Sequence, residues 1–109
     1  MTNVTAFGKE FPVVFNMAAQ INYERITDKA FDLASLTHAE NRLALYFAAI
    51  FTADENTDIT PEMLLKEASM EDINAIDKAV NEEMRLFYHI PVPAKEEEPE
   101  TEEGEASPN

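Results

Sequence analysis

The apolar residues of this chain change their period at Asn16, and that change limits the fold more than any other feature. Before it, Phe11, Val13 and Phe15 alternate with Pro12 and Val14, the period of a strand with one buried face. Val4 to Phe7 is placed to pair with this strand across a tight turn at Gly8-Lys9, where glycine supplies the positive φ that such a turn needs. Pro12 has no N–H to donate, so the strand is expected at an edge. After Asn16, a candidate N-cap, the residues Ala19, Tyr23 and Ile26 recur at spacings of four and three with Met17 and Ile21 beside them. A hairpin that runs directly into an amphipathic helix is the expected start of the fold.

The later segments read as helices. Thr37-His38-Ala39-Glu40 has the form of a capping box, and the helix behind it carries Leu43, Phe47, Ile50 and Phe51 on one face. Leu45, Tyr46, Ala48 and Ala49 fill its other sides, so this helix is expected at the centre, with the Leu43–Phe51 stripe as core; the competing expectation is a partly exposed groove for a partner helix. Thr60-Pro61-Glu62 is a helix start with cap, proline and acid in order, and Met63, Leu64 and Leu65 give that helix its apolar contact. Ser69 with Asp72 opens the last helix, whose stripe is Ile73, Ile76, Val80, Met84 and Phe87. Asn74, Asp77, Lys78, Glu82, Glu83 and Arg85 are assigned to its remaining faces.

Pro91, Val92 and Pro93 end this pattern. Seven of the 22 acidic residues follow them, Glu96 to Glu105, with nothing that a core would take. The organisation predicted is a globular domain over 1–93 and a disordered acidic tail over 94–109. The fold class predicted is α+β, mainly α, with an N-terminal β-hairpin and about four helices.

A formal charge of -14 argues against nucleic acid and anionic membranes as partners. No segment has the length of a bilayer span or the pattern of a signal peptide, and the absence of cysteine fits the cytoplasm. The oxygens of Asp54 to Asp58 resemble the start of a calcium loop, but Ile59 stands where glycine is needed and Leu65 where a bidentate glutamate is needed. His38 and His89 have no partner at metal-ligand spacing, and Ser35 and Ser69 lie in no nucleophile motif. Two glycines leave no phosphate-binding loop. No catalytic residue, cofactor or metal is therefore expected, and the chain reads as a binding protein.

The order Gly8-Lys9-Glu10-Phe11, the run Phe15-Asn16-Met17-Ala18-Ala19, and then Tyr23-Glu24, Ile26-Thr27 and Lys29 resemble the start of the tail assembly chaperones of long-tailed bacteriophages. The succession of helices up to Ile90 is similar as well, so the resemblance covers about nine-tenths of the chain. It implies a protein that binds and solubilises the tape-measure protein and helps tail-tube subunits assemble, without catalysis. It implies residence in the cytoplasm of the bacterial host, absence from the mature virion, and in many members a longer frameshifted product. Self-association is left open. The partner-binding candidates are Met84, Leu86, Phe87, Tyr88 and Ile90, because that helix end carries more large apolar groups than one face holds. The competing expectation for these residues is that Tyr88 and Ile90 fold back on the hairpin and close the core. Two other functions fit the composition: an acidic inhibitor that mimics nucleic acid, and a small structural subunit of a larger assembly.

Overall fold

Strand β1, Thr2–Ala6, pairs antiparallel with β2, Lys9–Val13, and the register runs from Ala6 opposite Lys9 to Thr2 opposite Val13. The turn is therefore Phe7-Gly8, one residue earlier than expected, with φ of 57° and 72° at its two centres. Positive φ at both positions is the requirement of a type I′ hairpin turn, whose twist matches that of the strands. An added Cβ at Gly8 would meet open space, so the backbone conformation alone selects glycine. Phenylalanine is unfavourable at positive φ, but the Phe7 N–H donates to Asp72 Oδ1 at 3.2 Å and so holds the turn on the last helix. In this register, Asn3 and Pro12 face each other without exchanging hydrogen bonds. Pro12 accordingly forfeits no ladder bond.

The computed structural model describes residues 1–89, an α+β arrangement in which the hairpin is followed by α1 (Met17–Thr27), α2 (Ala39–Ala53), α3 (Pro61–Lys66) and α4 (Met70–Phe87). A 3-10 helix, Leu33–Thr37, joins α1 to α2. The expectations for Ile90 and for the acidic tail 94–109 lie outside the described residues. Helix α4 packs on β1, and α2 touches β2 and the other helices. Tyr23, Ile50, Ile59, Ile76, Val13 and Val80 are the largest fully enclosed side chains.

Local capping signals act as their chemistry requires. Asn16 Oδ1 accepts from the Ala19 N–H at 3.0 Å, and Thr60 Oγ1 accepts from the Met63 N–H at 3.1 Å with Pro61 in the first turn. Ser69 and Asp72 form a reciprocal capping box, each bond 3.1 Å. The box expected at Thr37 does not form. Thr37 belongs to the 3-10 helix, its hydroxyl donates to Ala34 O, and α2 begins after His38 with no side-chain cap. This junction is held from the other side. The Asn41 amide donates to Ser35 O at 2.9 Å, and the Arg42 guanidinium donates to Leu36 O at 3.0 Å and Thr37 O at 2.9 Å.

Packing corrects side-chain assignments on three helices. On α2 the buried face is Leu45, Tyr46, Ala48, Ala49 and Ile50, whereas Leu43, Phe47 and Phe51 are only half-buried. The alanines decide it: the Val14 N–H reaches Ala49 O at 3.2 Å, an approach that a larger side chain would obstruct. On α1, Ala19 and Tyr23 are enclosed, but Ile26 is 44% exposed. On α4, Glu83 is buried and accepts from the Thr2 hydroxyl at 2.7 Å. Glu83 lies seven residues after Ile76 and three after Val80, so the helical period itself places it on the inner stripe. Asp77, also assigned outward, accepts from the Tyr46 hydroxyl. Burial first, and the Asp77 carboxylate second, hold the Tyr46 phenol protonated far above the ordinary tyrosine range.

Two stability results follow. The bonds from the Ser69 and Phe7 amides hold the Asp72 carboxyl below its usual 3.8. Because the folded value is the lower one, this contribution is complete above about pH 4 to 5 and is lost as pH falls through the folded value. Urea midpoints of the wild type and Asp72→Asn should differ at pH 7 and converge on acidification. Tyr23, by contrast, buries a hydroxyl that has no hydrogen-bond partner among the described residues. Removing an unpaired buried hydroxyl removes its desolvation cost, so Tyr23→Phe should be as stable as the wild type or up to about 1–3 kcal/mol more stable in the same assay.

Candidate functional site

A surface cleft lies where α1, α2 and α3 meet, and its origin is the arrangement of α2. Because the alanine side of α2 is turned inward, Leu43 and Phe47 are left half-buried on the flank, and Phe47 stacks on Phe51 with ring centroids 5.8 Å apart. Helix α3 sets the opposite wall. Two adjacent leucines on one helix point about 100° apart and cannot both enter the core. Leu64 is buried, whereas Leu65 is 67% exposed. Ile26, near the end of α1, adds its side chain to the wall, and Ala39, Ala44 and Pro61 complete a cleft of about 320 Å³. Glu40 is the one charged side chain among the described residues lining it, and it forms no ion pair there. A second cleft, about 360 Å³, shares Ala39, Leu43 and Leu65 with the first and continues past them to Met70 and Ile73. Together they form a mostly apolar track across α2 and α3, with Arg42 and Tyr46 in the wall of the second cleft.

Such a track has a defined chemical capacity. It can bury apolar side chains of another molecule, and it offers Glu40 as an anionic contact at its edge. Among the described residues no three His, Cys, Asp or Glu side chains are grouped to hold a metal ion. In the acidic loop before α3, the Asp54 carboxylate accepts from the Asn56 N–H at 2.9 Å. Asp58 instead takes the Lys9 ammonium at 2.9 Å, which holds its carboxyl below the usual value. No described helix is long and apolar enough to cross a membrane.

The residues expected to bind a partner are distributed differently. Met84 and Phe87 are half-buried against the core. The Phe87 ring meets Phe15 edge-on at 5.4 Å, and the Tyr88 ring lies 6.0 Å from Phe15 while its hydroxyl accepts from Gln20 Nε2 at 3.2 Å. Leu86 is 50% exposed. Of the five, Tyr88 and Phe87 are thus brought together over Phe15, Leu86 stands apart from them on the surface, and Ile90 lies outside the described residues. The cleft residues Ile26, Leu43, Phe47 and Leu65 are each legible as apolar in the sequence, and the stripe through Leu43 and Phe47 admits a groove as well as a core, but the spacing does not bring the four together. Two signals distinguish them: a helix apolar on every side has more large groups than its buried face takes, and the Leu64-Leu65 pair splits between inside and outside.

A third cleft, about 510 Å³, runs between β1 and α4, with Thr2, Thr5, Lys78 and Glu82 in its walls. Val4, Ala75 and Ala79 also line it, so apolar side chains share it with two side chains of opposite charge. Comparison with protein-family models, with curated proteins and with solved structures finds no match for this chain.

Proposed function

We propose that this protein is a tail assembly chaperone of the kind made by long-tailed bacteriophages, which binds the tape-measure protein, keeps it soluble and assists tail-tube assembly. The observation that carries the reading is the open apolar cleft of α1, α2 and α3 on a strongly acidic chain. A protein that shelters an aggregation-prone client needs an apolar surface to engage it and excess charge to keep the complex in solution. The resemblance of the hairpin and first helix to that family supports the same reading, and the expected place of action is the cytoplasm of the bacterial host. The role requires no catalysis.

Co-expression with the tape-measure client that this reading implies tests the proposal. The client is expected to move from the pellet to the soluble fraction and to co-purify with this chain. A client that stays insoluble beside well-folded, abundant protein would count against it.

A further inference from the structure

We infer that the α1–α2–α3 cleft receives an amphipathic helix whose apolar stripe is flanked by lysine or arginine; this names the client surface and rests on the chaperone reading above. The walls decide the conformation of the occupant. They are helices, whose main-chain groups are already bonded internally, so they offer no edge with which an extended strand can pair. An extended segment in an apolar cleft would leave its own N–H and C=O groups without partners and away from water, which is unfavourable. A helix satisfies its own backbone and presents only side chains. The row Ile26, Phe47, Leu43 and Leu65, continued by Met70, suits residues spaced three and four apart on such a helix.

Charge decides the flank. Glu40 borders the cleft and has no ion-pair partner among the described residues; Lys29 lines the adjoining small hollow but lies outside ion-pair distance, and Arg42, in the wall of the second cleft, directs its guanidinium to Leu36 O and Thr37 O. A cationic side chain beside the apolar stripe would meet Glu40, and the formal charge of -14 would draw a basic segment in from a distance. The same charge disfavours a second copy of this chain, an acidic helix or an anionic membrane as the occupant.

The test titrates the full chain with three labelled peptides of about 18 residues, five helical turns. One has an apolar stripe with lysine flanks, one the same stripe with glutamate flanks, and one lysine flanks with the apolar residues scattered. The first is expected to bind and to gain helical circular dichroism, with affinity falling as salt rises. The second should bind at least about tenfold more weakly, and the third should not bind measurably. Leu65→Gln should weaken the first peptide about tenfold, and Glu40→Gln should narrow the difference between the first two. Equal binding of the glutamate peptide, no binding of the lysine peptide, or binding indifferent to Leu65→Gln would overturn the inference. The two proposals fail separately. Capture of the tape-measure protein without the peptide result removes the cleft assignment alone, whereas the peptide result without capture removes the chaperone reading.

Discussion

Ile50→Ala is expected to lower the unfolding free energy by about 2–5 kcal/mol, a large part of what a domain of this size has. Ile50 is fully enclosed on the inner face of α2. Truncation there removes the transfer contribution of the side chain and leaves a cavity that close-packed neighbours fill only in part. Phe47→Ala, three residues away on the same helix, is expected to cost about half of the usual 3–5 kcal/mol for a buried phenylalanine, because Phe47 is half-buried and borders solvent in the cleft. Urea unfolding of the two variants beside the wild type measures the difference. A Phe47→Ala protein less stable than Ile50→Ala would mean that α2 turns its other face to the core.

The second large effect concerns binding. Leu65→Gln should leave stability within about 0.5 kcal/mol of the wild type, since an exposed substitution that keeps a good helix former disturbs little. Client binding should fall sharply, because the leucine projects from α3 into the shared wall of both clefts. Burial of one leucine contributes about 1.5–3 kcal/mol, which corresponds to at least a tenfold change in affinity. Solubility of the co-expressed client together with the unfolding midpoint of the variant measures both halves of this expectation. Only a residue used for binding, and not for folding, would separate them.

What was legible in the sequence was mostly what depends on neighbours in the chain. Asn16, Thr60 with Pro61, and Ser69 with Asp72 cap the helices they precede, since a cap needs only the next three amides. Thr37 carries the same local signal and fails, because the 3-10 helix takes its hydroxyl while Arg42, five residues on, satisfies the carbonyls around it. Gly8 marked the hairpin, but the turn moved one residue because a hydrogen bond from the Phe7 N–H to the carboxylate of Asp72, far away in sequence, holds Phe7 at positive φ. The cleft was hidden for a related reason. When every side of α2 is apolar, periodicity cannot say which side is inward, and the decision falls to the close approach of Val14 to Ala49. Glu83 shows the converse: its spacing placed it inside, its charge argued for outside, and the Thr2 hydroxyl made the buried position tolerable.

The most direct test compares three forms of the chain, each co-expressed with the proposed tape-measure client: wild type, Leu65→Gln and Leu86→Ser. Leu86 is an exposed residue of the helix end first considered as the binding surface, so it separates the two locations. The account expects soluble client with the wild type and with Leu86→Ser, and insoluble client with a folded Leu65→Gln. Client retained by Leu65→Gln and lost by Leu86→Ser would contradict it and return the binding surface to the end of α4.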